Sequence, residues 1–285
     1  MRIALCNEVI VPMPFPKQCE YAAKLGYDGL EIAPYTLAED PHHMSPALVA
    51  ASRRAAEDAG IAVTGLHWLL LKPAGLSISS KEDAVRKRTL DVMYSLVDLC
   101  AELGGRYLVH GSPAQRRIDP GETRAAALGR AQACWAAVAE RAARAGVLYC
   151  VEPLSSEQTP LVNTLEEAAQ IVAEIGNPAL KSMLDCSAAG RTEKDSLAAL
   201  AERWLPHGVI AHVQVNDRNR QGPGQGEQKF APLFAALLRH GYAGDIAVEP
   251  FDYVPDGPGA AARAVGYLKG ILEALQTAGL EPGGA

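Results

Sequence analysis

Val-Glu-Pro occurs twice in this chain, at Val151-Glu152-Pro153 and Val248-Glu249-Pro250, each time closing a short apolar run of the kind that forms a buried strand. A carboxylate there gains little from packing, because burying an unpaired charge is costly. Two further strand-like runs lie between the copies: Lys181 to Asp185 ends in a carboxylate, and Ile210 to Asn216 carries His212. Two Glu, one Asp and one His at successive strand ends point to a metal site with acid/base chemistry. Three carboxylates and one imidazole make a hard, mainly oxygen donor set. It suits Mn²⁺ or Mg²⁺, with Co²⁺ also accommodated, better than it suits a thiolate-type zinc site. Such a set leaves positions on the ion for adjacent oxygens of a bidentate hydroxy-ketone. Singly, a Glu before Pro is ordinarily a solvated or capping carboxylate. Grouped, like charges repel unless a cation neutralises them.

These residues need a scaffold that brings distant strand ends together. Strand-like runs alternate with Ala/Leu/Glu/Arg-rich amphipathic stretches throughout, the pattern of parallel strands joined by crossover helices. Eight units are predicted, with strands at Arg2 to Cys6, Gly29 to Ile32, Ala62 to Trp68, Tyr107 to His110, Leu148 to Glu152, Lys181 to Asp185, Val209 to Val215 and Asp245 to Glu249. Helices are predicted over Pro16 to Leu25, Pro46 to Ala59, Lys81 to Leu103, Glu122 to Ala145, Leu165 to Ile175, Ser196 to Trp204, Ala231 to His240 and Gly259 to Leu275. Gly26, Gly60, Gly104, Gly146, Gly176 and Gly241 stand where left-handed helix C-caps belong. Eight such units predict a closed (β/α)8 TIM barrel, a single domain over residues 1–278 with a flexible tail at 279–285, and an active site at the C-terminal mouth of the strands. An open doubly wound sheet is the alternative, but Cys6-Asn7-Glu8-Val9 stands where its Gly-rich phosphate turn would be. No organic cofactor is expected.

Composition narrows the function classes. The chain has 285 residues, 48% of them apolar, which supports one large core, and a net charge of −6, which argues against nucleic acid as partner. No run approaches the roughly 18 apolar residues of a membrane helix, and the N-terminus lacks a secretory pattern, so no membrane partner and a cytoplasmic location are expected. Six scattered Cys without CxxC pairs read as reduced, mostly buried thiols.

The segments Val151-Glu152-Pro153-Leu154, Leu184-Asp185, His212-Val213-Gln214 followed by Arg218, Pro223-Gly224-Gln225-Gly226 and Val248-Glu249-Pro250 resemble the xylose isomerase-like TIM-barrel superfamily. Within it they are similar to the sugar phosphate isomerase/epimerase branch that includes the D-tagatose and D-psicose 3-epimerases. The resemblance spans almost the whole chain and is most specific in its second half. It implies that Glu152, Asp185, His212 and Glu249 bind the metal, that Glu152 and Glu249 are also the acid/base pair, and that Arg218 holds substrate oxygens. It implies proton transfer through a cis-enediolate, giving epimerisation or isomerisation of a ketose or related hydroxy-ketone. The implied partners are a small-molecule sugar and further copies of the chain, as a homo-dimer or tetramer.

Two departures concern recognition rather than chemistry. Ala188 stands where the epimerases usually carry a substrate-binding His. In Ser155-Ser156-Glu157-Gln158 a ligand-contacting Glu is displaced by one position or replaced by Gln158. His67 and His110 end predicted strands and are candidates for substrate binding or for an auxiliary acid; Trp68 is either an apolar wall for a sugar or a core residue. Other readings on this scaffold are a dehydratase resembling inosose or 3-dehydroshikimate dehydratase, with His67 or His110 as proton donor, and a hydroxypyruvate isomerase. A non-catalytic sugar-binding barrel is disfavoured because all four candidate ligands are present. A nuclease resembling endonuclease IV is disfavoured by Ala188 and the missing Asp-x-His.

Overall fold

A computed structural model describes residues 1–280; beyond Leu280 the expected tail lies outside the described residues. Eight parallel strands close into a barrel in sequence order: β1 (Arg2–Cys6), β2 (Gly29–Ile32), β3 (Ala62–Leu66), β4 (Tyr107–His110), β5 (Leu148–Val151), β6 (Leu180–Asp185), β7 (Ile210–Val215) and β8 (Asp245–Val248). The outer ring contains α1 (Phe15–Leu25), α2 (Pro46–Asp58), α3 (Asp83–Glu102), α4 (Arg124–Ala145), α5 (Leu165–Ile175), α6 (Cys186–Thr192), α7 (Leu197–Trp204), α8 (Ala231–Arg239) and α9 (Gly257–Thr277). The expected barrel is therefore the observed one. Besides four short 3-10 turns, the element not foreseen is α6, a short helix following β6 directly and capped by Asp185 itself, whose Oδ1 accepts from the Ala188 amide at 2.6 Å.

Helix formation follows local chemistry. Ser45, Thr123, Thr164, Ser196 and Asp256 cap α2, α4, α5, α7 and α9 with side-chain oxygens, each worth about 1 kcal/mol. Along α4 the buried residues Ala127, Ala131, Cys134, Trp135, Val138, Ala139 and Ala142 form one helical stripe against the barrel. The six glycines expected at helix ends all adopt positive φ, and all six Cys are buried without disulfides. Among the described residues no helix is long and apolar enough to cross a membrane.

The barrel interior is filled with side chains. At its N-terminal end Asp245 is bonded by Arg2 at 2.8 Å and by Arg106 at 2.7 Å. Above lies a polar layer centred on Glu31, and above that the cavity at the C-terminal mouth. Close approach of β3 to β4 depends on Gly65, where an added Cβ would stand 2.5 Å from the Tyr107 carbonyl oxygen and 2.6 Å from its ring. Because the obstacle includes backbone, Gly65→Ala should destabilise the barrel by about 1–3 kcal/mol. An unchanged urea-unfolding midpoint would contradict this packing.

Candidate active site

The mouth holds a solvent-open cavity lined by residues that include Glu152, Asp185, Gln214 and Glu249. Glu152 and Glu249 each follow immediately after a strand, β5 and β8, and are only 7% and 5% exposed. Asp185, the last residue of β6, lies on the arc between them. Its carboxylate is held from two sides: Oδ1 caps α6, and Oδ2 accepts from the Asn216 side-chain amide at 2.7 Å. Asn216 also donates to the Glu249 carbonyl at 3.1 Å and accepts from the Ser187 amide at 2.7 Å, so the ends of β6, β7 and β8 are tied together. Glu152 sits over Gly111, where a Cβ would come 2.2 Å from Oε2. Beneath it the fully buried Arg116 donates to the carbonyls of Glu152, His110 and Gly111.

Burial sets the protonation of this group. It pushes Glu152 up to about 8, with Asp185 adding repulsion and Arg116 opposing it. It pushes Asp185 to about 6 against the lowering influence of the Ala188 amide and Asn216. Glu249 is raised well above the ordinary carboxylate range, again by burial first; His67 opposes that rise, while Asp185, Glu152 and Glu8 reinforce it. Three carboxyls thus share a low-dielectric pocket with too little positive charge to ionise together.

His67 lines the cavity, with Nε2 2.9 Å from Glu8 Oε2 and Nδ1 3.0 Å from Glu31 Oε1. Burial would lower its pKa, but Glu8 and Glu31 raise it well above the usual imidazole range. Glu31 is drawn well down by His212 and His67 despite complete burial. Trp68 and Gln158 also line the cavity. Trp68 adopts φ 51°, a region that costs a bulky residue on the order of 1 kcal/mol or more, and it presents its ring edge-on to Phe251 at 6.5 Å. Gln158 Oε1 accepts from the Ser155 hydroxyl at 2.9 Å and amide at 3.1 Å.

Three expected site residues stand elsewhere. His212 points into the barrel below the cavity, 2.8 Å from Glu31 Oε2 and stacked on Tyr107 at 4.1 Å between centroids. The β6–β7 register explains this: His212 pairs with Met183, whereas Gln214 pairs with Asp185 and shares its level. His110 follows inward-facing Tyr107 and Val109, so it turns outward, accepting from Trp135 of α4 at 3.2 Å and lying 2.7 Å from the Tyr149 hydroxyl. Burial and the Arg116 charge hold it well below the usual imidazole range. Arg218 is exposed and packs over Gly190. The guanidinium at the cavity is Arg220, 4.7 Å from the Phe251 ring centroid and 3.5 Å from Asp252. Gln214, Arg220, Glu31, Glu8 and Arg116 were not anticipated. Strand alternation from His212 reaches Gln214 and was the available signal for it. The loop from Gly222 to Gly226 packs on Asp217 and Tyr267, as mouth architecture.

Fold and cavity together define a (β/α)8 barrel with a polar pocket at the C-terminal mouth. The chain belongs to the xylose isomerase-like TIM barrel family, whose profile matches residues 19–271. It is 27% identical over 245 residues to D-psicose 3-epimerase of Agrobacterium fabrum, covering 83% of this chain and 79% of that protein. It is 30% identical over 179 residues to L-ribulose 3-epimerase of Mesorhizobium japonicum, covering 63% of this chain and 59% of that one, so that alignment spans less than two thirds of the relative. A solved structure of an L-ribulose 3-epimerase superposes with a TM-score of 0.83 at 22% identity, covering 98% of this chain and 96% of the other, a likeness of fold.

Because folding raises these carboxyl pKa values, protonated carboxyls favour the folded chain. That stability is complete below about pH 4, the ordinary range of these groups, and is lost as pH rises through about 6 for Asp185 and about 8 for Glu152. The thermal midpoint of chelator-treated protein should therefore fall between pH 5.5 and 8.5, and the slope should flatten in the combined Glu152→Gln, Asp185→Asn and Glu249→Gln variant. A midpoint that rises with pH equally in both proteins would contradict the assigned environment.

Proposed function

We propose that this protein is a divalent-metal-dependent isomerase that epimerises a ketose, or a related hydroxy-ketone, by moving a proton between substrate and the Glu152/Glu249 pair. The observation that carries the reading is that pair: two buried carboxyls at the ends of β5 and β8 lining one cavity, both pushed upward by burial. The relatives named D-psicose 3-epimerase and L-ribulose 3-epimerase support it.

The residues present fit a hard divalent cation. Glu152, Asp185 and Glu249 crowd negative charge into a pocket where burial opposes it, and the Gln214 side-chain oxygen is buried there without a hydrogen-bond partner. Mn²⁺ suits this donor set, as do Mg²⁺ and Co²⁺. When bound, such an ion supplies Lewis-acid polarisation of the substrate carbonyl and acidifies the adjacent C–H. The chain's own groups do the rest. The ionised member of the Glu152/Glu249 pair takes the proton from the carbon beside the carbonyl, and the protonated member delivers one to the opposite face of the planar enediolate, inverting that carbon. Asn216 and α6 keep Asp185 fixed between them, and Arg116 holds the backbone under Glu152. Trp68 and Phe251 give an apolar wall, while Arg220 and Gln158 offer polar contacts to substrate oxygens.

A dehydratase on this scaffold needs a proton donor beside the leaving hydroxyl. Of the two histidines expected to serve, His110 faces away from the cavity and both nitrogens of His67 lie against carboxylates. The cytoplasmic location and a homo-oligomeric state remain part of the proposal.

In D₂O with Mn²⁺, a panel of ketoses, inososes and hydroxypyruvate should contain a ketose that takes up deuterium at the carbon next to its carbonyl. Glu152→Gln should lower that turnover by roughly 10²–10⁴-fold. Absence of exchange and turnover across the panel, or full activity in Glu152→Gln, would remove the proposed mechanism.

A further inference from the structure

The metal-dependent reading leaves open which side chain β7 contributes. We propose that Gln214, through its carboxamide oxygen, and not His212, is the β7 ligand of the divalent cation, which makes the donor set entirely oxygen. This rests on the metal-dependent reading given above.

Three independent observations carry it. The strand register puts Gln214 beside Asp185 and drops His212 to the level of Met183. Gln214 lines the cavity with Glu152, Asp185 and Glu249, and His212 does not. Finally, the two ends of the Gln214 amide have different fates: Nε2 donates to Glu31 Oε1 at 2.7 Å, while Oε1 is buried without a hydrogen-bond partner in a residue only 1% exposed. An ionised carboxylate only accepts, so Glu31 fixes the amide with nitrogen downward and leaves the oxygen free. A buried carbonyl oxygen without a partner loses the full worth of a hydrogen bond, and a cation among the neighbouring carboxylates supplies what it lacks.

Neither nitrogen of His212 makes a hydrogen bond either, but the ring lies below the cavity, stacked on Tyr107 with Nε2 2.8 Å from Glu31 Oε2. A second candidate donor group, Cys6, Glu8, His67 and Glu249, gathers nearby, but both His67 nitrogens lie against carboxylates. His212 stands below the cavity and His67 is flanked by Glu8 and Glu31, and the carboxylates with one amide oxygen form the harder site. Such a site ranks Mn²⁺ and Mg²⁺ ahead of the imidazole-seeking ions.

The test is pulsed electron paramagnetic resonance of Mn²⁺ bound to the chelator-stripped full-length protein, with and without ¹⁵N-histidine labelling. Calorimetric Mn²⁺ affinities of Gln214→Ala, Gln214→His and His212→Asn accompany it. Expected are a wild-type spectrum without directly coordinated imidazole nitrogen, an affinity at least tenfold weaker in Gln214→Ala, and a new imidazole coupling in Gln214→His. His212→Asn should bind within a few-fold of wild type; should that variant fail to fold, the labelled wild-type spectrum decides alone. Wild-type imidazole coupling that disappears in His212→Asn overturns the assignment while leaving the metal reading intact. Coupling that survives in that variant overturns it in favour of the His67 cluster. No Mn²⁺ binding by wild type overturns both the assignment and the metal reading.

Discussion

Negative charge that the fold buries without enough positive charge to match it is the constraint around which the rest of this molecule is organised. Glu31 is compensated: His67 and His212 lie within 3.0 Å of its carboxylate oxygens. Glu152, Asp185 and Glu249 are not, and burial drives all three upward. Such a group is tolerated only on a frame that cannot relax away from it. A closed barrel provides that frame, because each carboxylate hangs from a strand end pinned on both sides by parallel ladders. The additional ties are specific: α6 and Asn216 hold Asp185, Arg116 bonds the carbonyls under Glu152, and Gly111 leaves room that a side chain would take from its carboxylate.

The interior below the mouth acts as a foundation in layers. Asp245 with Arg2 and Arg106 closes the N-terminal end, Tyr107 and His212 pack around Glu31, and Glu31 in turn holds Gln214 and His67 at the cavity floor. A polar column of this kind is stable only when nearly every donor and acceptor is matched. The Gln214 oxygen, like His67 Nδ1 and both His212 nitrogens, makes no hydrogen bond, and its level beside Asp185 gives that a chemical meaning. Mouth loops then decide what can enter, with Trp68 and Phe251 on the apolar side and Arg220 laid over Phe251.

Much of this was legible in the residues alone. The doubled Val-Glu-Pro, the Leu184-Asp185 strand end and the helix-ending glycines located β5, β6 and β8 and placed Glu152, Asp185 and Glu249 at one mouth. What composition and spacing did not disclose is which face of a strand points inward and at what height. His110 is one step out of phase with Tyr107 and Val109, and so it turns toward Trp135. His212 is in phase but one layer too deep: it precedes Gln214 by two residues, and the β6–β7 ladder, which shifts register between Ser182 and Met183, pairs it with Met183 and not with Asp185. That irregularity leaves no trace in hydrophobic periodicity. Arg218 and Arg220 differ by two positions in a polar loop. Arg220 is the one that lines the cavity, over Phe251, at a turn where its φ is 70°.

Burial should hold this carboxyl group partly protonated until a cation replaces the protons. Calorimetric titration of Mn²⁺ into chelator-stripped protein near pH 7, repeated in buffers of different ionisation enthalpy, counts the protons displaced. The arrangement of Glu152, Asp185 and Glu249 predicts net proton release that declines as pH is raised past 8 and disappears in Glu152→Gln combined with Glu249→Gln. Tight Mn²⁺ binding with no proton release at any pH would contradict it.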